Sequence, residues 1–167
     1  MSHVDGVVLR PLDEELLEAL LSAAVAGADP AEVMPPVPGP EGWTAERRAA
    51  FRQFHRTRSL SAAPVERTWA VVVAAPERVV GAARLAPLPD GAVEAGLWLA
   101  RAHRGAGVGG AVLRRLVELA RAAGAAALVA ETTADNAAMR RILAGLGATA
   151  TVRGGAVTAR LPLNGRA

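Results

Sequence analysis

The 167-residue chain reads as a mixed α/β domain built on a central, mixed but mostly antiparallel sheet of about seven strands, flanked by about four helices. Three observations carry that reading. Short β-branched and apolar runs, bounded by Pro and Gly, recur at both ends and in the middle of the chain. Apolar residues at helical spacing fill the stretches between them. A strand–helix–strand passage over residues 92–132 implies a parallel crossover, with antiparallel strands on either side.

The elements follow in order. Val7-Val8-Leu9-Arg10 reads as a first strand closed by Pro11. Asp13 is a helix cap, and Leu16, Leu17, Leu20, Leu21 and Ala24 lie on one helical face up to Gly27. Pro30 to Pro40 is too poor in backbone donors for regular structure. Trp43 to Leu60, free of Pro and Gly, reads as a second helix with Arg48, Arg52 and Arg56 in one basic stripe. Trp69–Val73, the turn Ala75-Pro76-Glu77, Arg78–Leu85, a second turn at Pro87–Gly91 and Ala92–Ala100 form a three-stranded meander. A long helix over 109–123 stops at Gly124, a short buried strand covers 126–132, and a helix over 136–146 stops at Gly147. Two strands, 149–153 and 157–161, close the chain around Gly154-Gly155.

Composition excludes several function classes. All 19 basic residues are Arg, set against 16 acidic ones, so the net charge is only +3 and no nucleic-acid partner is indicated. Aromatics are 3% of the chain, too few for base-stacking platforms. With no Cys there is no disulfide, no Cys-ligated zinc and no thiol nucleophile, and three scattered His have no metal-ligand spacing; no metal is expected. No uncharged run approaches the ~18 residues of a membrane span, and the start Met1–Asp5 lacks a secretory pattern. The expectation is a cytoplasmic, single-domain protein without membrane partners.

The sharpest feature is Arg104-Gly105-Ala106-Gly107-Val108-Gly109-Gly110, between a strand and a long helix. Such glycines allow a tight turn and leave backbone N–H groups uncovered at a helix N-terminus, where partial positive charge favours an anion. A P-loop would need Lys before Ser or Thr, and the chain has no Lys. A dinucleotide fingerprint finds Glu131 about 20 residues on, where a ribose-binding acid would lie. Against it, Arg101–Arg104 separates the strand from the glycines, and only 36 residues follow Glu131, too few for a doubly wound sheet.

Three motifs, in order and on the right elements, resemble the GNAT superfamily of N-acetyltransferases. Arg104-x-x-Gly107-x-Gly109 is similar to its acyl-CoA pyrophosphate loop. Asp135-Asn136-Ala137-Ala138-Met139, with Leu146-Gly147-Ala148, resembles its second motif. Glu94-Ala95-Gly96-Leu97-Trp98-Leu99 resembles a strand of its RimJ/RimL branch, the ribosomal-protein N-terminal acetyltransferases. The resemblance covers residues 68–148. It divides the chain into an acceptor-side wall (1–67), a cofactor-binding core (68–148) and C-terminal strands (149–167).

That resemblance implies a splayed strand pair with the acetyl-CoA pantetheine arm in the gap, held by the backbone of Leu99 and Ala100. It implies that Arg104, Gly105, Ala106, Gly107, Val108, Gly109 and Gly110 hold the pyrophosphate through main-chain N–H groups, and that Asn136 bonds the arm or a water. The reaction implied is direct attack of a primary amine on the thioester in a ternary complex. An alkylammonium near pKa 10 must first lose a proton, so a carboxylate acting directly or through water is useful as base; Glu94 is the candidate, with Glu131 second. Leu143 stands where many members carry a Tyr that protonates the leaving thiolate, and the chain has no Tyr. Thr132, Thr133 or water could stand in for that acid, or the thiolate could leave without one. The lack of that Tyr leaves a second reading, a non-catalytic acyl-CoA-binding or sensing domain.

The acceptor is a small-molecule amine or a peptide N-terminus. If the Arg48–Arg52–Arg56 stripe faces the site it repels a polycation; otherwise it is a solvated helix face. Trp43, Phe51, Phe54 and Trp69 either line an acceptor pocket or fill the core, and His103 either meets a phosphate or is exposed. A homodimer, through the C-terminal strands, is a family expectation.

Overall fold

The computed structural model describes residues 6–74 and 76–163. The chain start read for a secretory pattern, His3 and Ala75 of the first meander turn lie outside the described residues. The elements are β1 (Val7–Pro11), α1 (Glu14–Gly27), α2 (Pro30–Val33), α3 (Ala45–Arg58), β2 (Arg67–Val73), β3 (Arg78–Pro87), β4 (Val93–Leu99), α4 (Val108–Ala122), β5 (Ala127–Thr133), α5 (Ala137–Gly145), β6 (Thr149–Arg153) and β7 (Ala156–Pro162). The seven strands form one sheet in the order β1-β2-β3-β4-β5-β7-β6, parallel only between β4 and β5. This is the mixed, mostly antiparallel sheet that the sequence leads one to expect, with five α-helices among the described residues against the expected four or so.

The additional helix corrects the expectation of an irregular 30–40 segment. Pro30 sits in the first turn of α2, where its missing N–H has no helical partner to lose, and Glu32 Oε1 accepts the Asp29 N–H at 2.7 Å. The remaining Pro-rich loop is organised from outside: the Arg47 guanidinium donates to the carbonyls of Val37, Gly39, Pro40 and Gly42. A loop whose prolines supply acceptors and few donors is satisfied by the residue richest in donors.

Sheet pleating sends alternate side chains to two cores. Trp69, Val71, Ala83, Leu85, Ala95 and Leu99 face α4, which buries Val112, Leu113, Leu116 and Val117 against them. Burial of each of these Val and Leu side chains contributes roughly 1.5–3 kcal/mol. On the other face, Leu12 and Ala82 meet Leu17, Leu20 and Leu21 of α1 and Phe51 of α3. Asp13 and Thr44 cap those helices through Leu16 N–H and Arg47 N–H. The basic stripe is drawn to α1: Arg52 pairs with Glu18 at 2.7 Å and Arg56 with Glu14 at 2.8 Å. Two of its three arginines thus join the helices, while Arg48 Nε donates to the Trp43 carbonyl at 3.3 Å. β6, at one sheet edge, is exposed along its length.

Two irregularities shape β3 and β4. The β2–β3 register slips between Val71 and Val72, leaving Val80 as an extra residue on β3. Beside it, a Cβ on Gly81 would stand 2.1 Å from the Trp98 carbonyl oxygen, so only glycine fits. On its other side β4 pairs with β5 only at Val93, Glu94 and Ala95. Beyond Ala95 and Ala130 the two strands part.

Candidate active site

The divergence of β4 and β5 opens a cleft of about 840 Å³. Leu97, Trp98 and Leu99 form one wall, the glycine loop and the start of α4 its end, and Asn136, Met139, Ile142 and Leu146 of the α5 region the other wall. Gly105 (φ +79°) and Gly107 (φ +87°) take the left-handed conformation that turns the chain into α4, with Gly107 as its N-cap. The 15-residue helix therefore aims its first N–H groups at the cleft end, beside Arg104, Arg114 and Arg141. That end suits a phosphorylated ligand, and the unpaired edge of β4 suits an extended, strand-like one.

A second cavity, of about 350 Å³, lies on the α1–α3 side of the sheet. Glu32, Leu97 and Trp98 line both, so the two spaces meet at β4. Its polar side is built by Glu66 just before β2, Thr68 two residues on and therefore on the same face, and His55 of α3. All three are buried, at 3%, 7% and 4% exposure. Arg58 Nε donates to Glu66 Oε1 at 3.1 Å, and Arg84 Nη1 stands 3.8 Å from the same oxygen. Burial among Phe51 and Phe54 pushes the His55 imidazole down to about 4, so it is neutral at physiological pH.

The family model for the acetyltransferase (GNAT) domain matches residues 7–149. The chain belongs to the GNAT acetyltransferase family. Among solved structures the GNAT domain of S. lividans PAT is similar, with a TM-score of 0.68 and 20% identity over 93% of this chain and 89% of that one. The Salmonella typhimurium protein yncA, solved with its cofactor acetyl-CoA, gives 0.63 and 22% over 97% and 96%. The dodecameric spermidine N-acetyltransferase of Vibrio cholerae gives 0.70 and 12% over 95% of each chain. These likenesses establish the GNAT fold. No curated protein matches the sequence.

In this GNAT cleft, Leu99, Arg104, Gly105, Gly107, Gly109, Gly110 and Asn136 are among the lining residues. Ala100, Ala106 and Val108 are not: Ala100 packs toward Gly27, and the Val108 side chain is in the α4 core. The Leu99 carbonyl accepts from Arg104 Nε at 2.9 Å and the Ala100 N–H donates to Val80 at 2.8 Å, so the protein itself engages both groups. Asn136 Oδ1 caps α5 through the Met139 N–H, leaving the amide NH2 as its donor. Glu94, half-buried, accepts from Arg84 Nη1 at 3.0 Å and lines neither cavity. Glu131 is exposed opposite Thr158, and Thr133 donates to Asp135. Leu143 is buried in the core at 3% exposure, and His103, half-buried in the turn Arg101–His103, lies outside the cleft.

Sequence reasoning missed Glu66, Thr68, Arg84, Arg114 and Arg141 as site residues. The signal for the first two was faint but present. Glu66 directly precedes an apolar strand, and Thr68 alternates with Trp69 and Val71, so both belong to the opposite sheet face. No signal marked Glu32, which reaches the site because Arg101 and Arg104 pair with Asp29 and Glu32 at 2.7 and 3.3 Å and draw α2 against the glycine loop.

Proposed function

We propose that this GNAT domain is an acetyl-CoA-dependent N-acetyltransferase that moves an acetyl group to a primary amine by direct attack in a ternary complex. The observation that carries the reading is the meeting of the two cavities at Leu97 and Trp98, one suited to an extended anionic thioester and one to an acceptor. Backbone N–H groups of the loop Arg104–Gly110 and the first turn of α4 would take the pyrophosphate, with Arg114 and Arg141 supplying countercharge. The β5-facing edge of β4 from Gly96 onward would take the pantetheine amides, and the Asn136 NH2 would bond the same arm or a water.

Glu94 is the proposed base. Because Glu94 lines neither cavity, it would act on the acceptor ammonium only through water, from the oxygen that Arg84 does not engage. With Leu143 in the core, the thiolate leaves without a side-chain acid, which an ordinary thiol pKa of about 8.5 permits near neutral pH. The Glu94–Leu99 strand supports kinship with the RimJ/RimL branch in the cofactor-binding core without carrying over that branch's protein acceptors, and the exposed edge strand β6 is where the expected homodimer would form.

Thiol release from acetyl-CoA across a panel of amines and peptides tests the reading. Turnover with at least one amine is expected, and Glu94→Gln should lower kcat by about 100-fold or more. Unchanged kcat/KM across pH in that variant would remove Glu94 as base. Acetyl-CoA binding without turnover on any acceptor would leave an acyl-CoA sensor instead, the reading that Leu143 favours.

A further inference from the structure

Four buried side-chain polar atoms have no hydrogen-bond partner among the described residues: Nδ1 and Nε2 of His55, Oε2 of Glu66 and Oγ1 of Thr68. All belong to residues lining the 350 Å³ cavity. Buried polar groups in folded proteins are ordinarily paired, so four such atoms around one space point to a ligand. The set has a definite chemistry. Glu66 Oε2 and Thr68 Oγ1 accept hydrogen bonds, and whichever nitrogen of the neutral His55 lacks the proton accepts a third. One anionic and two neutral acceptors suit a primary ammonium, which can donate two N–H bonds to them and keep the third toward Leu97 and Trp98, where it must be lost before attack on the thioester.

We propose, on the basis of the transferase reading above, that His55, Glu66 and Thr68 receive the acceptor's amino group, and that the acceptor is a compact monoamine with an apolar body. Phe54, Met34 and Trp98 supply the apolar side of the cavity. The surrounding charge admits a single ammonium. Glu66 Oε1 is taken by Arg58, Glu32 Oε1 by the Asp29 N–H, Glu32 Oε2 by Arg104, and Arg84 is held by Glu94. A polyamine would bring a second cation to a cavity whose other carboxylate oxygens are already engaged.

Calorimetric titration of the intact protein with benzylamine, benzyl alcohol, spermidine and a tripeptide with a free N-terminus, with and without coenzyme A, tests this directly. Benzylamine should bind about tenfold or more tighter than the neutral alcohol and the two larger amines. Glu66→Gln and Thr68→Val should each weaken benzylamine severalfold or more, with acetyl-CoA affinity unchanged. The threonine variant keeps side-chain volume and covers the case in which loss of the Arg58 and Arg84 contacts unfolds the glutamate variant. Benzylamine bound no better than benzyl alcohol, or worse than spermidine or the tripeptide, or bound equally by wild type and Thr68→Val, would overturn the assignment. If benzylamine binds with these preferences and acetyl-CoA does not bind, the amine site stands and the transferase reading falls. The reverse pattern removes the amine site alone.

Discussion

The Arg84 side chain crosses Gly96: a Cβ added at position 96 would stand 2.9 Å from Arg84 Nε and 3.1 Å from its Cζ. The two residues are cross-strand partners, as are Arg84 and Thr68 on the other side. The glycine therefore lets the guanidinium lie flat between Glu94, at 3.0 Å, and Glu66, at 3.8 Å. The Glu94-x-Gly96 spacing has a physical reason: one residue pairs the cation and the other makes room for it.

Gly96→Ala should displace Arg84 without disturbing the sheet, because the clash is with a flexible side chain. A loss of stability of at most about 1 kcal/mol is expected, with a clear fall in kcat/KM. Gly81→Ala meets the backbone oxygen of Trp98 and should cost about 2 kcal/mol or more. Thermal unfolding of the two variants compares them; equal losses would contradict the distinction.

His55 makes stability depend on pH. Its folded pKa, about 4, lies below the unfolded value near 6.5, so between these values the unfolded chain binds the extra proton. Stability is therefore complete above about pH 6.5 and falls as the pH drops toward 4, by roughly 3 kcal/mol from this group. Denaturant midpoints in His55→Gln should lose that part of the acid slope. An unchanged slope would show that the imidazole is not held neutral by burial.

Gly109→Ala should separate folding from binding. The new methyl meets only Leu99 Cδ1 at 3.8 Å, and alanine in place of a helical glycine gains up to about 1 kcal/mol. The same methyl stands on the cleft lining, so acetyl-CoA should bind more weakly to a more stable protein. Gly107→Ala, at φ +87°, should lose roughly 1 kcal/mol of stability as well as affinity. A Gly109→Ala protein binding acetyl-CoA as wild type would sink the loop's assigned role.

Arg47→Ala should loosen the Pro-rich loop, since one guanidinium satisfies four of its carbonyls. Faster proteolysis between residues 35 and 42 is expected, and Arg47→Lys should not restore protection because an ammonium lacks the planar fork. Equal cleavage rates in wild type and Arg47→Ala would count against this account.

Local signals in the sequence mark most of this fold. Asp13 and Asn136 announce helix starts by their capping chemistry, and Gly107 announces the turn into α4. The parallel crossover follows from the strand–helix–strand order around that turn. Long-range geometry is what the sequence conceals. The pairing of Arg52 and Arg56 with α1, the contacts of Arg101 and Arg104 with Asp29 and Glu32, and the convergence of His55 with Glu66 and Thr68 join residues far apart in the chain or on different elements. Periodicity places Thr68 on a sheet face, yet cannot say that the face is a cavity wall.

Acetyl-CoA titration by calorimetry, with NAD as the control, decides whether the β4–β5 cleft binds an acyl-CoA. Micromolar binding of acetyl-CoA and none of NAD is expected if the loop before α4 is the proposed anion site beside an open strand edge. Binding of NAD, or of neither ligand, would contradict it.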